Sequence, residues 1–209
     1  MNILVFGDSI AVGAFDTERN GWVSLMAMDQ YEKSIASRGR EYNDVINVSV
    51  SGNTSTDLLH RIESDMKGRK GQDGFGVSIL AIGTNDAAKV NGVHQVSFDT
   101  FSKNIDALTG ILQETSDKVV VLGLPPVFEK LTSPWCFDQT ANWMNEELAK
   151  YDAEIQRITS EKNLLFIPMQ DVLDRNSDQH LPEGLHPNAN GHRLIYERVK
   201  GEFKKTGIL

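Results

Sequence analysis

Four residues of the kinds that acyl transfer requires are spread along the 209-residue sequence, each just beyond a short apolar run. Ser9 sits in Gly7-Asp8-Ser9-Ile10 and Gly52 in Ser51-Gly52-Asn53-Thr54. Asn85 sits in Gly83-Thr84-Asn85-Asp86 and His186 in Glu183-Gly184-Leu185-His186-Pro187. A hydroxyl attacks a carbonyl carbon once a base takes its proton, and an imidazole titrates in the right range to do so. The oxyanion that forms needs N–H donors, which a carboxamide and a glycine turn can present. Each residue also has a plainer use. Ser9 and Asn85 could cap a turn or helix, Gly52 could fill a left-handed turn, and His186 alone could be a surface histidine. Their shared position brings the set that acyl transfer needs to one edge, because ligands of open parallel sheets sit outside the carboxyl ends of the strands, while for each residue taken alone the plainer use stays open.

The elements that must position these residues read as strand and helix in alternation. Apolar runs at Ile3–Phe6, Asp44–Ser49, Gly76–Ile82, Lys118–Leu122 and Leu164–Ile167 predict strands. Trp22–Ala36, Thr54–Met66, Phe98–Thr115, Gln139–Ile158 and Pro187–Phe203 predict helices. In the first of these Trp22, Leu25, Met26 and Ile35 share a face. In the third, Phe101, Ile105, Leu108, Ile111 and Leu112 recur at three- and four-residue spacing. Hydroxyl residues suit the start of the second helix, and Pro187 suits the start of the last. Short strands apolar on both faces belong in a parallel sheet covered by helices on both sides. The expectation is one three-layer α/β domain over residues 1–209, built on a five-stranded parallel sheet. Gly68–Gly74 reads as a surface turn. Gly123–Asp138 is a long apolar loop, of a kind that often carries function. Its Phe128, Trp135 and Phe137 either line a substrate pocket or pin the loop to the core.

The stretches "VFGDSIAVG", "NVSVSGNT", "IGTND" and "GLHPNANGH" resemble, in order, the four sequence blocks of the SGNH or GDSL-type hydrolases. They run from residue 5 to residue 192, nearly the whole chain. The resemblance implies a flavodoxin-like fold and a serine hydrolase that cleaves carboxylic esters. It implies Ser9 as nucleophile and His186 as general base. It also implies an oxyanion hole from the Ser9 and Gly52 backbone N–H groups and the Asn85 side chain. The family usually carries aspartate three residues before the histidine, where this chain has Glu183. A glutamate can serve as the acid of a triad, so Glu183 is assigned that role, with Asp178 the alternative. Ser49 stands where many relatives have glycine, with little effect expected.

Other residues draw plainer readings. Asp8 is expected to bond nearby backbone. The lone thiol Cys136 excludes an intramolecular disulfide and reads as inert packing. His60, His94, His180 and His192 read as structural or solvated, with no metal-ligand spacing among them, so neither metal nor cofactor is expected. Asn53-Thr54-Ser55 matches a glycosylation acceptor by accident.

Composition bounds the partners. Acidic residues outnumber basic ones, 29 to 21, for a formal charge of -8, which argues against nucleic acid and anionic lipid. The opening residues lack a basic n-region and a long apolar core, so no signal peptide, no stable membrane insertion and a cytoplasmic location are expected. A small or water-soluble ester is the expected substrate, with an acetylated carbohydrate or a thioester as the enzymatic alternatives. A non-catalytic binding domain is a competing class. A flavin or dinucleotide protein is disfavoured, because no G-x-G-x-x-G turn follows the first strand.

Overall fold

A computed structural model describes residues 2–69 and 75–208 of the chain. The elements follow in the order β1 (Asn2–Gly7), α1 (Ser9–Val12), α2 (Gly21–Ala36), β2 (Asp44–Asn47), α3 (Ser55–Lys67), β3 (Phe75–Ala81), β4 (Lys89–Val90) and β5 (Val93–His94). After them come α4 (Phe98–Thr115), β6 (Ser116–Leu122), α5 (Glu129–Thr132), β7 (Ala141–Asn142), α6 (Asn145–Glu161), β8 (Leu165–Ile167) and α7 (Ala189–Thr206).

Five strands in the order β2-β1-β3-β6-β8 make a wholly parallel sheet. Successive side chains of a strand point to opposite faces, and both faces are apolar here. Leu4 and Phe6 of β1 and Val119 and Val121 of β6 face one core with α3, α4 and α6. Ile3, Val5, Val120 and Leu122 face the other core with α1, α2 and α7. The result is the three-layer, flavodoxin-like α/β arrangement expected. The ladder beside β1 continues past β2, since Val48 N–H donates to Val5 O and Val50 N–H to Gly7 O.

Local chemistry sets the helix limits. Thr54 and Asp57 form a reciprocal capping box at the start of α3. Ser97 caps α4, whose Phe101, Ile105, Leu108 and Leu112 are fully buried, each worth about 1.5–3 kcal/mol of transfer free energy. The last helix begins at Ala189 rather than at Pro187, because the Asn188 side chain accepts from Gly191 N–H and so forms the cap. Ile35 does not share the buried face of α2; it is 79% exposed, and Gln30 is buried in its place.

The helix expected over Gln139–Ile158 starts six residues late. Ala141–Asn142 pairs as β7 with β4, in a small antiparallel sheet of order β5-β4-β7. Asn145 then fixes the start of α6. Its N–H donates to Glu129 Oε1, and its side-chain amide bonds both N–H and C=O of Val127. The turn expected over Gly68–Gly74 lies mostly outside the described residues.

Candidate active site

Strand order reverses between β1 and β3, which leaves a crevice at their carboxyl ends. Ser9 opens α1 directly beyond β1, Asn85 lies beyond β3 and Gly52 beyond β2. His186 comes in from the segment after β8. Asp8 creates the turn that presents Ser9: it caps α1 by accepting from Ile10 N–H at 2.9 Å.

Ser9 Oγ lies 2.8 Å from His186 Nε2, and His186 Nδ1 lies 2.8 Å from Glu183 Oε1. A carboxylate can only accept, so the ring proton sits on Nδ1 and Nε2 is left to accept from the serine. Glu183 Oε1 also accepts the backbone N–H of His186, and Oε2 accepts the indole N–H of Trp135 at 2.6 Å. All three side chains are buried, with Glu183 at 6% and His186 at 5% exposure. Burial by itself would raise the Glu183 carboxyl. The hydrogen bonds from His186 and Trp135 and the nearby imidazole outweigh it and hold the group below its ordinary value. Asp178, by contrast, is exposed in a turn and touches the loop through its backbone carbonyl, which accepts from Leu181 N–H.

Gly184 lets this loop close. Its φ is +92°, and a Cβ there would come within 2.7 Å of Thr132 Cγ2 and 2.8 Å of Leu131 Cβ. Phe128 N–H donates to Gly184 O, which clamps the segment around α5 to the histidine loop.

Gly52 has φ +80°, a conformation that favours glycine, and its N–H finds no backbone acceptor among the described residues. Asn85 donates one amide hydrogen to Asn53 O at 2.9 Å, which ties it to the Gly52 turn; the other meets no acceptor among the described residues. Arg61 holds that turn from behind through Asn53 Oδ1 and Val48 O. Ser55, the last residue of the sequon-like triplet, is fully buried and donates through N–H and Oγ to Asp86.

Ser9, Gly52, Asn85 and His186 share a cavity of about 340 Å³ with Phe15, Trp135, Trp143, Leu185 and Gln95. Of the three aromatics picked from the apolar loop, Trp135 lines this cavity. Phe137 stands at its rim, 62% exposed, stacked on Phe15 and edge-on to Trp135. Phe128 is not part of it: its ring packs toward the α2–α7 core and borders a separate surface hollow with Lys130 and Arg175. Sequence reasoning missed Phe15 and Trp143. Phe15 stacks on the His186 ring at 4.7 Å, and Trp143 meets Trp135 edge-on while donating to Thr84 O. A larger open hollow, about 450 Å³, lies at the opposite ends of β6 and β8 among Gln113, Ser116, Lys118 and Asn163, away from these groups.

Burial raises Asp8 to about 7 and Asp86 to about 6, so Asp8 is partly protonated at neutrality while Asp86 has mostly given up its proton there. His192 is fully buried and pulled down to about 4 by that burial, hence neutral. The Cys136 thiol is exposed. Among the described residues no cluster of three or more His, Cys, Asp or Glu could hold a metal, and no helix is long and apolar enough to cross a membrane.

A parallel α/β sheet with serine, histidine and carboxylate in line at its carboxyl edge is the architecture of a carboxylic ester hydrolase. Residues 5–194 match the GDSL-like lipase/acylhydrolase family, and the chain belongs to that family. It is similar to the uncharacterized protein YpmR of Bacillus subtilis (strain 168), at 24% identity over 99% of this chain and 82% of the relative. Among solved structures it is similar to the lipase/acylhydrolase from Enterococcus faecalis, with TM-score 0.73 and 23% identity, over 98% of this chain and 96% of that one. It is also similar to Axe2, an acetylxylan esterase from Geobacillus stearothermophilus, with TM-score 0.70 and 18% identity, over 95% and 91%. Two further structures of Axe2 are of catalytic mutants, one with a serine and one with a histidine replaced by alanine.

Proposed function

We propose that the chain hydrolyses small or water-soluble carboxylic esters through an acyl-enzyme formed on Ser9. The observation that carries this reading is the unbroken line from Ser9 Oγ through His186 to Glu183, 2.8 Å at each step. Ser9 Oγ attacks the ester carbonyl carbon while Nε2 takes the hydroxyl proton. Glu183 keeps the ring in its working tautomer and offsets the imidazolium charge. The oxyanion is held by the backbone N–H groups of Ser9 and Gly52 and by the free amide hydrogen of Asn85. His186 passes the proton to the leaving alcohol oxygen as the C–O bond breaks. A water, deprotonated in turn by His186, then releases the acid and restores Ser9. The catalytic serine and histidine of Axe2 support the assignment of these two roles.

The modest cavity, walled in part by Phe15, Trp135, Trp143 and Leu185, suits a short acyl group or a compact alcohol. A second reading, removal of O-acetyl groups from a carbohydrate, is favoured by the exposed rings of Phe15 and Phe137 at the mouth, whose flat faces suit the C–H face of a sugar. Hydrolysis of p-nitrophenyl esters of increasing acyl length, beside acetylated xylooligosaccharides, separates the two. Ser9→Ala and His186→Ala should each lower kcat on the order of 10⁶-fold, as in other serine hydrolases. A Ser9→Ala variant as active as the parent overturns the reading.

A further inference from the structure

We infer that Trp135 is a positioning residue for the triad carboxylate: its indole N–H, bonded to Glu183 Oε2, turns Oε1 onto His186. The inference rests on the Ser9–His186 reading above and extends it to a residue of the apolar loop.

Glu183 is one methylene longer than the aspartate usual at this position in the resembling family. A longer side chain has one more rotatable bond, so a single contact to the imidazole fixes it less well. Here the carboxylate is held at both ends. Oε1 faces Nδ1 and the backbone N–H of His186, and Oε2 receives the Trp135 indole at 2.6 Å. A charge-assisted hydrogen bond of that length inside a buried site is among the stronger orienting contacts a neutral donor can make. Trp135 is itself fixed. Its backbone N–H donates to Ala141 O, and its ring meets Trp143 edge-on at 5.3 Å. Trp143 in turn donates to Thr84 O, beside Asn85. The donor that sets the acid thus belongs to a braced aromatic pair spanning the loops after β3 and β6. The same Trp135 ring walls the cavity above Ser9, so one residue shapes the substrate wall and the acid together. The other titratable groups around the pair are Asp8 and His192, which interact electrostatically with His186, and the Cys136 thiol, 3.8 Å from Glu183 O.

Trp135→Phe keeps an aromatic wall and removes the N–H. In steady-state hydrolysis of p-nitrophenyl acetate it should lower kcat roughly tenfold and leave KM within about twofold. With the indole gone, Oε1 is free to turn away from Nδ1 and stabilises the imidazolium less well. The acidic limb of kcat/KM should therefore move to lower pH. In a Glu183→Asp background the shorter side chain cannot reach both partners, so adding Trp135→Phe should cost less than about twofold. A rise in KM with an unmoved acidic limb, or equal costs in both backgrounds, overturns the inference and leaves Trp135 as a wall. An independent readout needs no folded Trp135 variant. Of the three indole N–H resonances of the uniformly ¹⁵N-labelled protein, that of Trp135 should lie downfield and should move in Glu183→Gln but not in Ser9→Ala. An unmoved resonance in Glu183→Gln overturns the inference. Retained hydrolysis by Ser9→Ala removes the underlying reading; lost hydrolysis with additive Trp135 and Glu183 costs removes only this one.

Discussion

The Phe15 ring lies on the His186 imidazole, with centroids 4.7 Å apart and planes 17° from parallel, carried by a backbone held at φ +66°. A bulky residue in the left-handed region is strained by about 1–2 kcal/mol, and the stack offsets part of that cost. Phe15→Gly should therefore be about 1 kcal/mol more stable to urea than Phe15→Ala, because only glycine accepts this φ freely. Both should lower kcat/KM by roughly two- to tenfold through loss of the stack. Equal stability of the two variants, with unchanged kcat/KM, would show that Phe15 merely covers the site.

Asn85 binds the Gly52 turn with one amide hydrogen and lines the cavity. Asn85→Ala should lower kcat by roughly 10²–10³-fold with a much smaller change in KM, since the lost donor acts on the transition state. A change confined to KM would place Asn85 in substrate binding instead.

Glu183 and Asp178 were both candidates for the acid, and only Glu183 touches the imidazole. Glu183→Gln should cost on the order of 10⁴-fold in kcat, as the loss of a triad carboxylate does elsewhere. Asp178→Asn should leave kcat within about twofold, because an exposed turn carboxylate has little hold on the reacting groups. The reverse ranking in steady-state assays would reassign the acid.

Stability should depend on pH through Asp8. The folded protein binds this proton up to about pH 7, the unfolded chain only to about 3.8. The folded state therefore has an advantage at low pH that is lost as pH rises from about 4 toward 7, with Asp86 acting in the same sense up to about 6. Asp8→Asn keeps an acceptor for Ile10 N–H and abolishes the buried charge. It should match the parent at pH 4 and exceed it at pH 8 by on the order of a few kcal/mol in urea unfolding. A variant less stable than the parent at pH 8 would contradict this.

The sheet and the four blocks were legible in the sequence because they rest on local signals. The central strands are apolar runs on both faces, and Gly52, Ser9 and Asn85 follow strands that the fold sets side by side, while His186 is brought to them by the segment after the edge strand β8. What escaped depends on long-range pairing. Ala141–Asn142 reads as helix by composition and becomes strand only because Lys89–Val90 lies opposite. The start of α6 is set by Glu129 and Val127, sixteen and eighteen residues away. Trp135 and Phe128 look equivalent in the apolar loop, and only the turn of the chain between them aims one at Glu183 and the other at the core. Phe15 carries no signal in sequence, since nothing in "AFDTERNG" announces a positive φ.

The most direct measurement is intact mass and peptide mapping after treatment with a fluorophosphonate, which phosphonylates an activated serine and stays attached. One adduct per chain is expected, located on Ser9, formed in step with loss of ester hydrolysis and absent from Ser9→Ala and from heat-unfolded protein. A protein that hydrolyses esters yet takes no adduct, or takes it at another residue, contradicts the account.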